Sequence, residues 1–298
     1  MINKYFIASL SALIIYSCSS GSGTSTDPNL SGTLESGISV LSAVADDLSS
    51  PAVVGAASIS DNPVEIKEFS CTGGWSSACS SGGTKTRTAN CSNTVVTYIK
   101  NVVLSFYDVN GIADASCTGL ATAGNYIVRT GNDVVTLPGV GVFTSTSVSA
   151  NNYAGTSIGG GAKIVKNADS TDSISITGVT ASLTSTTGTS VWSNSVYTDP
   201  AAPLVLNHLS RDGRTINSGT VIVNNNLLGF TASMAYAGIV YTASCCYPVG
   251  GTITTTLSGA RAGTATLTFS SVCGSATIST ETGAIVSVGM SACSSSIN

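Results

Sequence analysis

Residues 263–270, "GTATLTFS", carry the pattern that decides the fold class of this chain. Ala265, Leu267 and Phe269 alternate with three threonines, so a strand here would bury one face and expose hydroxyl groups on the other. Because side chains repeat every two residues along a strand and every 3.6 along a helix, this alternation predicts a half-buried β-strand.

Similar segments recur from about residue 63 onward, separated by turn signals rich in Gly, Asn and Asp. Short strands at this spacing are typical of antiparallel hairpins, and the crossover helices that a parallel sheet requires are absent from the pattern. We therefore predict an all-β, disulfide-stapled protein of antiparallel meander or sandwich-like sheets with tight hairpins and one short N-terminal helix. The other predicted strands are 94–107, 125–137, 140–149, 172–184, 188–198, 214–224, 226–236, 238–244, 252–258 and 283–289. The predicted turns are Gly131-Asn132, Asp212-Gly213, Asn224–Asn226, Gly259–Gly263 and Thr282-Gly283.

The composition supports β-structure and limits the partners. Charged residues make up 9% of the 298 residues, against roughly 25% in an average protein. The surface must therefore consist of Ser, Thr, Asn and Gly, and the shortage of Glu and Lys disfavours helices. With a net charge of −4 and no basic stretch, the sequence predicts no nucleic-acid partner and no electrostatic attraction to an anionic membrane surface.

The N-terminus has the features of a targeting segment. Lys4 precedes an apolar run of about 11 residues from Phe6 to Tyr16. A membrane-spanning helix needs about 20 residues, so this run predicts a signal peptide over residues 1–17.

The end of that segment, Ile15-Tyr16-Ser17-Cys18, resembles the lipobox of bacterial lipoproteins. The resemblance implies cleavage before Cys18 and diacylation of its thiol, which would anchor the protein to a membrane. Ser19 does not resemble the acidic signal that retains some lipoproteins in the inner membrane, so the resemblance favours the outer membrane. The alternative is an ordinary signal peptide that is cleaved among residues 19–23. It stays open because Tyr16 is larger than the residue that usually occupies position −2 of a lipobox.

The rest of the chain divides by composition. Residues 18–31 form a Ser/Gly-rich tether, and apolar residues at helical spacing over 32–50 predict a short amphipathic helix. The Gly-rich stretch 155–163 then separates two predicted β subdomains, 63–155 and 160–298. The alternative is one continuous sheet that runs through both.

The cysteines predict disulfides. The chain has nine, an odd number, and setting Cys18 aside leaves eight in two clusters of four. An oxidising compartment and up to two disulfides per cluster follow. A structural zinc site is disfavoured, because there is no CxxC pair and no histidine near either cluster. Adjacent strand residues face opposite sides, so neighbouring cysteines of the second cluster should bond different partners. The clusters are Cys71, Cys79, Cys91 and Cys117, then Cys245, Cys246, Cys273 and Cys293.

No motif assembles a catalytic constellation. Residues 155–159 match G-x-S-x-G around Ser157, but the helix that follows a nucleophile elbow is missing. The acidic turns 108–114 and 167–173 lack the later ligands of a calcium loop, so we predict no metal site and no cofactor. The stretch "NHLSRDGR", residues 207–214, predicts a polar hairpin turn. If the protein contacts a ligand through a loop tip, this turn is the first candidate, through His208, Arg211, Asp212 and Arg214.

These features predict an exported, lipid-anchored cell-envelope protein with a binding, adhesive or structural role and no enzymatic activity. Its expected partners are the membrane, through the lipid anchor, and another envelope component or a host or prey surface. Two alternatives stay open: a carrier of a hydrophobic ligand or folding-assistance module built on a curved β-sheet, and a secreted hydrolase that uses Ser157 or the His208 cluster.

Overall fold

The computed structural model describes residues 70–289, with gaps at 77, 93–96, 138, 140, 148–149, 152–156, 159, 210–212, 243, 246–247, 274 and 282–284. The predicted signal peptide, tether and N-terminal helix lie outside the described residues. So do Cys18, Arg211, Asp212, Cys246 and Cys293. No helix in the described part is long and apolar enough to cross a membrane.

The described residues fold into antiparallel strands, which confirms the predicted all-β class. The strands are β1 (Ser70–Trp75), β2 (Thr84–Ser92), β3 (Thr97–Tyr107), β4 (Tyr126–Leu137), β5 (Gly141–Ser147), β6 (Ala150–Asn151), β7 (Ser157–Ile158), β8 (Gly161–Lys166), β9 (Asp172–Ser185), β10 (Ser190–Thr198), β11 (Leu204–Leu206), β12 (Thr215–Asn225), β13 (Phe230–Val240), β14 (Gly250–Gly259), β15 (Gly263–Phe269), β16 (Ser275–Thr280) and β17 (Ile285–Gly289).

Fifteen of these strands form one sheet, and β6 pairs with β7 separately. The order β1-β2-β3-β4-β5-β9-β10-β12-β13-β14-β15-β16-β17 is a meander with two shared positions. β5 and β8 lie between β4 and β9, whereas β10 and β11 lie between β9 and β12. This one sheet contains strands from both predicted subdomain ranges, whose division stays a prediction.

The registers place most strand connections at one of two opposite ends of the sheet, whereas 148–160 and 199–203 leave and re-enter the sheet along its length. At one end, which we name the turn end, every connection is three or four residues long. At the other, the loop end, the connections are longer and reach their maximum between β3 and β4. The turn-end connections are 93–96, 138–140, 186–189, 226–229, 260–262 and 281–284, and the loop-end connections are 76–83, 108–125, 167–171, 207–214, 241–249 and 270–274.

Alternation along the strands builds the core. In β3, every second residue from Tyr98 to Phe106 is buried and the intervening ones are more exposed. In β15, which contains the alternating stretch 263–269, only Phe269 is fully buried, and Ala265 and Leu267 are partly exposed near the edge of the sheet. One hydrophobic cluster contains buried side chains from β2 to β16.

Several boundaries differ from the sequence prediction. Gly131-Asn132, predicted as a turn, lies inside β4, because the missing side chain of Gly131 allows a close approach of the neighbouring strand. A Cβ there would lie 2.7 Å from the Asn101 carbonyl oxygen. The predicted strands 226–236 and 238–244 are the single strand β13, which has a register irregularity near Gly238 instead of an end. The prediction missed β1, β2, β6, β7, β8, β11 and β16 as separate strands.

Candidate functional site

The loop end is held together by the two disulfides that the structure contains among its described residues. Cys79–Cys117 joins connection 76–83 to connection 108–125, with a Cα–Cα distance of 5.8 Å. Cys245–Cys273 joins connections 241–249 and 270–274 at 5.6 Å. The predicted stapling by disulfides is thereby confirmed, with one bond inside each of the two predicted cysteine clusters.

A second pair in the first cluster lies toward the turn end. Cys71 of β1 stands directly opposite Cys91 of β2 in the strand register, and the Cys91 side chain is buried. Both residues belong to the first cluster, in which up to two disulfides are predicted.

Connection 108–125 takes its shape from two aspartates. The Asp108 Oδ1 atom accepts hydrogen bonds from the backbone N–H groups of Asn110 at 2.9 Å and Ile112 at 2.8 Å. Asp114 accepts bonds from the hydroxyl and the backbone N–H of both Ser116 and Thr118. These donors, above all the two hydroxyls, lower the pKa of Asp114 from 3.8 to about 2. Both carboxylates therefore act as anchors of the turn.

The same connection exposes apolar side chains at its tip. Val109 and Ile112 are 61% and 65% exposed, and Val272 in connection 270–274 is 65% exposed. Aspartate-centred turns and disulfides hold the backbone that carries these side chains. The loop end therefore presents apolar groups on a braced framework.

The predicted ligand-contact cluster lies in connection 207–214, at the loop end. Asn207 closes this connection, because its Oδ1 atom accepts bonds from the His208 and Thr215 N–H groups while its amide donates to the Gly213 carbonyl at 3.1 Å. His208 is partly buried, and its Nδ1 atom has no hydrogen-bond partner among the described residues.

Arg214 has an interior position. Its side chain is buried, its Nε atom donates to the Leu209 carbonyl at 3.0 Å, and its guanidinium carbon lies 5.6 Å from the centroid of the Tyr241 ring. Arg214 thus ties the end of β11 to the ends of β12 and β13. A role of His208 and Arg214 in contacting a ligand stays a prediction.

A partly buried ion pair lies next to this connection. Lys166 Nζ is 3.2 Å from the Asp172 carboxylate and also donates to the Ser170 carbonyl at 2.6 Å. Burial raises the pKa of Asp172, and the positive charge of Lys166 opposes that shift. The pair fixes the turn between β8 and β9 at the loop end.

Ser157 is positioned by the short strand β7, in the excursion between β5 and β8. The next element is strand β8, beginning at Gly161, whereas a nucleophile elbow would continue into a helix. Within the described residues, no group of three or more His, Cys, Asp or Glu side chains could hold a metal ion.

The sequence prediction missed a buried charged cluster on β3 and β4. Asp133 lies 3.4 Å from Arg129 and 3.7 Å from Lys100, and it accepts a hydrogen bond from the Tyr98 hydroxyl at 3.2 Å. All four side chains are buried. The sequence did contain a signal for this cluster, because Lys100 and Asp133 stand at positions of their strands where the alternating pattern calls for an apolar residue. Removing one partner of such a buried cluster is strongly destabilising.

Comparison of the chain with protein-family models, curated proteins and solved structures finds no match.

Proposed function

We propose that this chain is an exported, lipid-anchored cell-envelope protein that binds a partner through its loop end, without catalysis. The observation that carries the proposal is the unequal division of the two ends of the sheet: every loop-end connection is longer than every turn-end connection, and both described disulfides lie at the loop end. Binding residues are found disproportionately on loops that a rigid scaffold positions.

The apolar tips support a binding role. A partner that covers Val109, Ile112 and Val272 would gain the free energy of apolar burial. Because turns and disulfides already brace these loops, little conformational entropy is lost on binding. Two polar groups of the loop end, Asp114 and Arg214, have structural partners.

The end at which the chain enters the sheet agrees with this orientation. Ser70, the first described residue, begins β1 at the turn end. The preceding chain, with the lipobox-like Cys18, therefore joins the sheet opposite the loop end. Two acyl chains suffice for stable membrane attachment, and disulfides are typical of exported proteins.

The binding role is tested with the lipidated protein immobilised in detergent and challenged with a solubilised envelope fraction. We expect one retained component that the loop-end variant V109S/I112S loses by about tenfold or more. The matched turn-end variant L227S/L228S should retain it. Equal retention by all three proteins, or loss only in the turn-end variant, contradicts binding through the loop end.

The anchor and the absence of catalysis need separate tests. Mass spectrometry of the mature N-terminus should find an acylated Cys18, and an unmodified start at Ser19 or beyond contradicts the anchor. A measured hydrolysis that disappears in both S157A and H208A contradicts the non-catalytic assignment.

A further inference from the structure

We propose that the hairpin tip formed by Leu227 and Leu228 docks on the zwitterionic bilayer to which Cys18 tethers the protein. This inference rests on the proposed lipid anchor. The two leucines occupy connection 226–229 between β12 and β13, at the turn end, and are 46% and 39% exposed. Val191, on the nearby strand β10, is also exposed.

The backbone N–H groups of this tip are all hydrogen-bonded within the protein. Asn225 Oδ1 accepts bonds from the N–H groups of Leu227 at 3.1 Å and Leu228 at 2.8 Å. The Gly229 N–H donates to the Asn225 carbonyl at 3.1 Å, and the Asn226 N–H donates to the Ser193 carbonyl at 2.8 Å. Every N–H group of the connection therefore has an acceptor within the protein, which lowers the cost of bringing this tip into contact with lipid.

The charges around the tip also fit a bilayer. Connection 226–229 contains no charged residue, and Arg261 in the next turn-end connection lies 5.2 Å from the Phe230 ring. A long cationic side chain at this level can reach the lipid headgroups. Glu281 lies in the following turn-end connection, farther along the sheet. At the loop end, by contrast, the carboxylate of Asp108 lies beside Val109 and bonds to Ile112, which makes insertion of that tip costly.

The tether makes weak docking effective. Cys18, once acylated, keeps the body near the bilayer, so contact between the tip and lipid becomes an intramolecular event at high effective concentration. Because Ser70 begins β1 at the turn end, the anchored segment joins the sheet at the same end as the two leucines. Two partly exposed leucines can then dock without the charge attraction that the composition disfavours.

The experiment uses the full lipidated protein in phosphatidylcholine vesicles, with or without brominated acyl chains. Leu228→Trp reports on the turn end, and Leu227→Trp is a second, independent reporter on the same tip. Ile112→Trp is the matched loop-end control. Emission is taken relative to the parent protein, which contains the native Trp75 and Trp192. We expect brominated lipid to quench the added emission of L228W about twofold and that of I112W hardly at all.

Each outcome decides a different point. If the protein floats with the vesicles and neither L228W nor L227W is quenched, or if only I112W is quenched, the docking is wrong and the anchor stands. A blue-shifted L228W emission that brominated lipid does not quench indicates a protein cover, such as a second copy of this chain, and also overturns the docking. Failure of the lipidated protein to float with the vesicles contradicts the anchor itself, and with it the proposed function.

Discussion

The loop end and the turn end of one sheet stabilise their connections in different ways. The turn-end connections have three or four residues and follow directly from the strand pairing. The loop-end connections contain up to the 18 residues of 108–125 and are held by disulfides, aspartate-centred turns and a buried arginine. One end is thus fixed by local hairpin geometry, and the other by local bonds within its connections together with disulfides between connections.

This difference bears on function. A short hairpin turn needs only suitable residues at its tip, whereas a long loop pays an entropic cost that covalent and hydrogen-bonded braces must offset. The described disulfides lie at the loop end alone, which indicates that the shape of that end is maintained for a reason beyond connecting strands. The four predictions below test that contrast, beginning with the largest expected effect.

Loss of a loop-end disulfide should have the largest effect. In C79S/C117S, a cross-link that closes a 38-residue separation disappears, and loop-closure entropy predicts a loss of about 4 kcal/mol in the free energy of unfolding. C245S/C273S should lose slightly less, because its separation is 28. Denaturant unfolding of the variants and the parent protein measures both. If neither variant were destabilised, the loop end would not depend on its staples.

A matched pair of arginines distinguishes the ends next. Arg214 at the loop end and Arg261 at the turn end both lie over aromatic rings, at 5.6 and 5.2 Å, but only Arg214 is buried and bonded to the Leu209 carbonyl. R214L leaves that carbonyl without this donor, so we expect a loss of about 2–3 kcal/mol in the free energy of unfolding. R261L should lose less than about 1 kcal/mol. Equal losses in thermal or denaturant unfolding would erase the contrast.

The strands were predictable from the sequence wherever one face of the strand is buried along its whole length and the other face is exposed. The segments 94–107 and 172–184 were found because apolar and polar residues alternate, and they correspond to β3 and β9. Glycines caused errors, because Gly131 and Gly238 lie inside strands, where they permit close approach or a bulge, and not at strand ends. A single-residue turn signal does not distinguish these cases.

The loop end was less predictable, because it depends on contacts between distant residues. The clusters of cysteines indicated disulfides, but the pairing of Cys79 with Cys117 depends on two connections meeting at one end of the sheet. Arg214 was expected at a ligand-contacting surface, whereas its side chain is buried against Tyr241, a residue from another connection. Spacing along the chain does not contain that information.

Two glycines in left-handed conformations provide a smaller, balanced comparison. Gly213 at the loop end has φ +71° and Gly229 at the turn end has φ +65°. G213A and G229A should each lower the free energy of unfolding by about 1–2 kcal/mol, because an L-residue is strained there. A Cβ on residue 213 would be in ordinary van der Waals contact with His208 Nε2, and one on residue 229 meets nothing, so backbone strain is the main effect at both positions. Because only the strain at residue 213 falls in connection 207–214, we expect only G213A to weaken partner retention in the envelope assay; equal retention by both variants contradicts a role of connection 207–214 in binding.

The smallest expected effect is the pH dependence that Asp114 gives to the loop end. Its pKa is about 2 in the folded protein and near 3.8 when unfolded, so its ionised form stabilises the fold. This contribution is complete above about pH 4 and is lost as the pH falls through 2. Because the carboxylate is largely exposed to solvent, we expect D114N to cost less than about 1 kcal/mol at neutral pH.

Thermal unfolding of the parent protein and D114N between pH 1.5 and 6 measures this effect. The difference in Tm should be largest above pH 4 and disappear near pH 2, because the parent carboxyl group is then protonated and resembles the amide. T118V, which keeps the carboxylate but removes one hydroxyl donor, should shift part of the transition toward pH 4. A constant difference between parent and D114N at every pH would mean that the aspartate acts through packing, and that the hydrogen bonds from Ser116 and Thr118 do not brace connection 108–125.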